Sequence, residues 1–424
     1  MTTLIVGGGW SGLAAAVRLL EKGESIHLVE SAKQLGGRAR NVDWNAQTID
    51  NGQHLLIGAY QRTLKLLQDL GADESRLFQR LPLNITIHHP HFGDLKLADT
   101  LHLPWPLSLA IKTWQLNGFA VFVQLSRLIF NARSQKKSDD ISVQAWLEQQ
   151  KQSRRLIEQL WEPLCLATMN TPISEASANL FAHVLLETFR QRDYADFLIP
   201  QVPLGDTLPA YAERYIQQQG GQISLQTRIK SLVIHNNKVT AALTDNGQTI
   251  EADNIIIATG PHTSQQLLGK YWGAKDASSH PIVTVYLQCA SDIHLRSPML
   301  GLSGTTSQWI FDRGDGLLAV VISGPGSHLK LTNEQLIEHV VNELLDANIV
   351  QPSEFIRGYV IREKRATFRS TVDVCSDRPT TCSPVDGLYL AGDIINNLYP
   401  ATLEGAVING EKAAELIMKI NTVS

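Results

Sequence analysis

The chain has 424 residues, of which 43% are apolar and 18% charged, a globular composition on a chain long enough for about two hydrophobic cores. A net charge of −4 gives a polyanion nothing to bind and excludes nucleic acid as a partner. Cys165, Cys289, Cys375 and Cys382 stand too far apart for a zinc site or a disulfide framework, which points to no metal and to a reducing, cytoplasmic compartment.

Thr2-Thr3-Leu4-Ile5-Val6 has strand character, and Gly7-Gly8-Gly9-Trp10-Ser11-Gly12 follows at once, fitting G-x-G-x-x-G at Gly7, Gly9 and Gly12. Leu13 to Lys22 reads as a helix, and Ser25 to Val29 as a second strand that ends on Glu30. This β-α-β unit is built for a dinucleotide. Gly7 permits the tight turn, Gly9 admits the pyrophosphate beside Trp10 and Ser11, and Gly12 lets the helix pack close to the strand. The helix N-terminus faces the phosphates with free N–H groups and a positive dipole end. Glu30 can accept hydrogen bonds from two ribose hydroxyls, and its charge repels a 2′-phosphate. No signal peptide is expected, because the first apolar run belongs to this unit.

Gly36-Gly37-Arg38-Ala39-Arg40 comes next, two glycines that let backbone curl around phosphate and an arginine that can pair with it. Leu83 to His88 alternates as a strand, and Asp94 to Leu97 can pair with it. Residues 105–200 read mostly as helix, with patterns around 141–149, 153–166 and 176–190. Within 101–137 the apolar residues and Trp105 and Trp114 are followed by Arg127, Arg133, Lys136 and Lys137. Two readings stand: a helix pair in the core of a substrate domain, or a patch that dips into one leaflet of the inner membrane as a peripheral contact. No run of 18 uncharged apolar residues predicts a spanning helix.

A helix over 205–219 leads to short strands at 222–226, 229–235, 238–243 and 248–251. Asn254 to Ala258 is apolar on both faces, as a parallel strand between two helix layers must be, and it runs into Thr259-Gly260-Pro261. Residues 280–322 alternate as strands, 333–347 is an amphipathic helix, Gly387 to Asp393 is strand and tight turn, and 404–420 is the last helix. Nucleotide-binding pieces thus occur at the beginning, middle and end. The expected fold is α/β, a Rossmann-type FAD-binding domain (1–75, 203–280 and 369–424) interleaved with a mixed α+β substrate domain that is mostly helical over 76–202 and sheet over 281–368. That interleaving suits flavin enzymes better than nicotinamide dehydrogenases.

The Gly36-Gly37-Arg38 stretch, Ala391-Gly392-Asp393 and Pro400-Ala401-Thr402-Leu403-Glu404-Gly405-Ala406 resemble the FAD-contacting segments of the amine oxidase and phytoene desaturase superfamily. The resemblance implies that Asp393 meets the ribityl chain and that the N–H groups after Thr402, those of Leu403 and Glu404 among them, lie near flavin N1 and O2. There a helix N-terminus stabilises the negative charge of reduced flavin. Gln226-Thr227-Arg228-Ile229 is similar to the stretch whose backbone meets adenine, hence Ile229. Gly260 sits in a turn similar to the one that ends the returning strand near the cofactor. Asp50-Asn51-Gly52-Gln53-His54, Trp161-Glu162-Pro163-Leu164-Cys165, and Glu363-Lys364-Arg365-Ala366-Thr367-Phe368 complete a resemblance to the hydroxysqualene dehydroxylase family from residue 1 to about 415. One departure is Ile394, where the family pattern has an aromatic residue after the acid.

The family resemblance implies FAD, with Gly52 and Gln53 added to its contacts. It also implies a long apolar terpenoid substrate, an allylic alcohol whose C–OH is replaced by C–H. Loss of the hydroxyl needs a proton or a strong hydrogen bond, and a dry pocket protects the cation-like state. His54, Asp50, Glu162 and Glu404 are the candidates for assisting it. No second G-x-G-x-x-G unit is present to bind a nicotinamide donor, so an external electron donor is implied. The rivals are a carotenoid-type desaturase, an amine oxidase, and a non-catalytic flavoprotein that presents polyprenyl lipids.

Overall fold

The computed structural model describes residues 2–45, 47–99, 104–105, 107–274, 278–290, 293–351 and 353–421. The strand Thr2–Val6 lies near the middle of a five-stranded sheet, paired in parallel with Ser25–Val29 on one side and with Asn254–Ile257 on the other. Gln222–Ser224 and Leu388–Leu390 form the two edges. Ile255, Ile256 and Ile257 are wholly buried, as two covered faces require. The helix Trp10–Leu20 is buried along nearly its whole length, because the closing helix Leu403–Asn421 packs against it on one side and Leu208–Gln218 on another.

A second sheet has seven strands in the order Phe355–Phe368, Ser279–Cys289, Leu317–Ser323, Trp309–Asp312, Met299–Leu302, Asn84–His89, Gly93–Ala98. Its alternation explains why the sequence is apolar on both faces here. Val283, Val285 and Leu287 face the helix Asn333–Asp346 in one core, while Ile282 and Tyr286 face the helical layer in another. The pairing of Asn84–His89 with Gly93–Ala98 is antiparallel, as its alternation predicts. Phe355–Phe368 falls within the 281–368 segment expected to be sheet, although no individual strand is delimited there. As an edge strand it tolerates the charges of Arg362, Glu363, Lys364 and Arg365, which hide its period.

Helices Leu107–Asn117, Phe119–Gln135, Val143–Gln149, Glu162–Met169 and Ala178–Thr188 cover this sheet. Ahead of Glu162 the helix widens to one π turn at Ile157–Trp161, which carries the buried Gln159 amide against the carbonyls of Gly93 (2.6 Å) and Ile87 (3.3 Å). Residues 101–103 and 106 of the two-way apolar segment lie outside the described residues. In the rest of it Val121, Leu128 and Ala132 are buried, whereas Trp114, Phe119 and Phe130 are exposed. Among the described residues no helix is long and apolar enough to cross a membrane.

Candidate active site

A cavity of about 1040 Å³ is lined from both sheets and from the helical layer, at the upper end of the size of small-molecule sites. Its polar end is made by the glycine loops. Gly7 takes φ 112°, open to glycine, and its N–H bonds Val29 O at 2.8 Å. A Cβ on Gly12 would stand 2.0 Å from Gly7 O, so the helix can approach the strand only with glycine there. Gly36 N bonds Gly8 O at 2.9 Å, which brings the second glycine pair across the first loop. Gly7, Gly9, Trp10, Ser11, Gly37, Ile229 and Gly260 all line the cavity, whereas Gly12 lies behind it and acts through packing. Glu30 also lines it, and its carboxylate accepts from the N–H groups of Gly8 (2.7 Å) and Ala32 (2.8 Å).

Arg38 and Asp393 form an ion pair at 2.7 Å, and Arg38 also donates to Ala366 O at 2.7 Å. Burial works against the Arg38 charge, but Asp393 and then Glu363 outweigh it and raise its basicity. The closing helix begins at this point. Thr402 caps it, with its hydroxyl accepting from Gly405 N at 3.1 Å, and Thr402 and Leu403 line the cavity. Asn409 donates to Gly392 O and Ile395 O, each at 2.8 Å, and so ties the helix to the turn that carries Asp393.

The residues present fit FAD. The indole N–H of Trp10, the hydroxyl of Ser11 and Oε1 of Gln53 are buried, line the cavity and have no hydrogen-bond partner among the described residues. A dinucleotide can satisfy all three. Gly52 and Gln53 come from the turn after the strand Gln47–Asp50 and face the same space.

Of the four residues expected to assist hydroxyl loss, His54 alone lines the cavity. Its Nδ1 lies 2.7 Å from Gly52 O, which fixes the proton there and leaves Nε2 as the acceptor. Burial depresses its pKa despite the opposing pull of Asp50, so the ring is neutral. The other three do not line it. Asp50 is buried beside the cavity and accepts from Leu204 N at 2.6 Å, and burial raises its pKa. Glu162 stands on the far side of its helix from Leu164, Ala167 and Thr168, which do line the wall. The Glu404 carboxylate accepts from Arg62 N (2.8 Å) and Thr63 N (2.9 Å), capping the helix Gln61–Asp69. Only its backbone belongs to the helix start that faces the cavity.

Other residues were not foreseen. Tyr60 and Tyr399 line the cavity, and burial raises both phenols well above their usual range, so both stay protonated. Glu363 lines it too, its carboxylate held by Asn51 at 3.0 Å. Arg378 does not touch the cavity but holds the loop that does. Its guanidinium donates to the carbonyls of Asp393, Ile394, Ile395, Asn397 and Tyr399 at 2.7–3.0 Å and lies 4.8 Å from the Phe368 ring centre. Burial without a carboxylate contact lowers its pKa to about 10. No local signal marks such a residue, since its partners are carbonyls that any sequence supplies.

The apolar part of the lining is made by Phe181, Leu185, Ile282, Trp309, Val321 and Ile361 together with Leu83, Ile85 and Leu97. The family described as "Flavin containing amine oxidoreductase" matches residues 10–418. The chain is 26% identical over 431 residues to a hydroxysqualene dehydroxylase of Zymomonas mobilis subsp. mobilis, covering 98% of this chain and 99% of that one. It is 22% identical over 457 residues to a 15-cis-phytoene desaturase of Glycine max, covering 99% and 80%. An oxidoreductase from Methanosarcina mazei has the same fold, with a TM-score of 0.75 at 16% identity over 99% of this chain and 100% of that one.

Proposed function

The chain belongs to the flavin-containing amine oxidoreductase family and is an FAD-dependent oxidoreductase, and from that premise we propose that it reduces hydroxysqualene to squalene, an allylic C–OH becoming C–H. The observation that carries this reading is one continuous cavity, with a dinucleotide cradle at one end and an apolar wall at the other. Its likeness to a hydroxysqualene dehydroxylase over 98% of the chain supports the substrate class. Bound reduced FAD supplies hydride, and an external electron donor has to reload it.

The chain's own residues do the rest. Phe181, Leu185, Ile282, Trp309, Val321 and Ile361 hold the polyprenyl chain extended and keep water from the allylic carbon while positive charge develops there. The hydroxyl leaves as water, which requires a proton or a strong hydrogen bond on its oxygen. A protonated phenol can donate that bond, and the Tyr399 hydroxyl has no hydrogen-bond partner among the described residues. His54, neutral and with Nε2 as acceptor, orients the substrate O–H rather than protonating it. Glu363 lines the same wall with its carboxylate held by Asn51 at 3.0 Å, and the proton that leaves with the water is replaced from solvent.

The test is anaerobic incubation of the photoreduced, FAD-loaded protein with hydroxysqualene. Squalene should appear as the flavin reoxidises, and Tyr399→Phe should slow that step by about 10²–10⁴-fold, the usual share of acid–base assistance. Flavin that stays reduced, with hydroxysqualene recovered intact, would overturn the proposal. Oxidised flavin that becomes reduced on squalene instead would make the protein a desaturase.

A further inference from the structure

We propose that the helix pair Leu107–Asn117 and Phe119–Gln135 is a docking surface for an anionic lipid leaflet. Of the nine large apolar side chains exposed among the described residues, six lie on this pair: Leu107, Trp114, Leu116, Phe119, Val123 and Phe130. Such a concentration is a patch rather than the scatter of single apolar residues found on any surface. Phe119, Val123, Arg127 and Phe130 follow one another at helical spacing and form one outward stripe, while Val121, Leu128 and Ala132 anchor the opposite face in the core. Trp114 meets Phe119 edge to face at 6.3 Å across the turn at Gly118, so the tip of the pair is aromatic.

Charge decides between a lipid and a protein occupant. The sequence has no Asp or Glu between Asp99 and Asp139, but it has Lys112, Arg127, Arg133, Lys136 and Lys137, in a chain whose net charge is −4. Lys136 is turned inward to His183 at 2.9 Å, which leaves Lys112, Arg127, Arg133 and Lys137 spread along the segment. An exposed apolar stripe on a segment that carries these four cations and no acid matches the acyl boundary and the phosphates of one leaflet. A second copy of this chain would bring the same four cations against these four.

The surface also lies one helix from the cavity. Trp105, just ahead of the pair, donates its indole N–H to Phe189 O at 3.0 Å and stacks on the Phe189 ring, which is a wall residue. The helix Ala178–Thr188, packed on Phe119–Gln135, supplies Val184, Leu185 and Thr188 to the same wall. This deepens the polyprenyl reading by giving the substrate a source in the bilayer, but it stands on exposure and charge alone.

The experiment is flotation of the FAD-loaded protein with vesicles of phosphatidylcholine, with and without phosphatidylglycerol, at low and high salt. No substrate is present, so failure of the squalene reading leaves the result intact, and the reverse. Binding should require phosphatidylglycerol and weaken as salt rises. Lys112→Gln, Arg127→Gln and Arg133→Gln together should weaken it about 100-fold, at about fivefold per cation. Trp114→Asp with Phe119→Asp should abolish it while bound flavin and thermal midpoint are retained. Equal binding to both vesicle types, unimpaired binding by either variant, or a lipid-free dimer that the Asp variant splits into monomers would overturn the proposal.

Discussion

At one end of the cavity contact is made by backbone, through Gly7, Gly37, Gly260, Gly392 and the first turn of the closing helix. At the other it is made by side chains, among them Phe181, Leu185, Ile282, Trp309 and Val321. A backbone contact depends on a torsion angle or a close approach that one residue type permits, so the glycine end cannot drift. An apolar wall depends on volume and on exclusion of water, which several residue types provide equally well. The two ends should therefore answer mutation very differently.

The sharpest contrast comes from Gly12→Val. Its first side-chain atom would overlap Gly7 O, standing 2.0 Å away, so the loss should exceed the roughly 1–3 kcal/mol usual for overpacking. The purified protein should lack flavin absorbance and melt far below wild type; a yellow, stable variant would break the comparison. Arg378→Met comes next. It leaves five carbonyls without their shared donor, and by analogy with breaking a buried charged pair it should cost roughly 3–5 kcal/mol in a denaturant titration. Arg378→Lys should restore less than half, since an ammonium cannot span the set.

The third test uses acid. His183 is buried beside the Lys136 ammonium, and burial first, then that charge, lower its pKa from 6.5 to about 4. The unfolded chain takes up the proton before the folded one does, so the stability from the neutral ring is full above about pH 6.5 and is lost as pH falls toward 4. Complete loss amounts to about 3 kcal/mol, and it levels off below that pH. His183→Asn should flatten this part of the curve, because the ring is then absent from both states; an unchanged slope would sink the assignment. The smallest effect belongs to the apolar wall. Leu185→Met keeps volume and should cost less than about 1.5 kcal/mol, with flavin content unchanged.

The same contrast explains what could be read from the residues in advance. The strand, glycine loop, helix and acid of residues 2–30 are local, and each appears where the spacing put it. So do the fully buried strand Asn254–Ile257 and the final helix. The approach of Arg38 to Asp393 brings together two motifs 355 positions apart that family resemblance had assigned separately to the cofactor. What spacing could not show was direction. Glu404 stands in the expected motif, but its side chain turns back to cap another helix. Glu162 shares a helix with wall residues and points away from them. Arg378 and the edge strand Phe355–Phe368 depend on partners from distant parts of the chain and leave no periodic trace.

The parallel sheet carries a consequence for how the protein is made. Its strand Thr2–Val6 is translated long before its neighbour Asn254–Ile257 and the edge Leu388–Leu390, and the helix that seals the loop after it comes later still. At about 5–20 residues per second, some 20–80 s separate the first glycine loop from its closing helix. A nascent chain cannot load its flavin during that interval. Cofactor capture therefore waits for the closing helix, and a chain stopped short of residue 388 is left with an open apolar edge for chaperones and proteases to find.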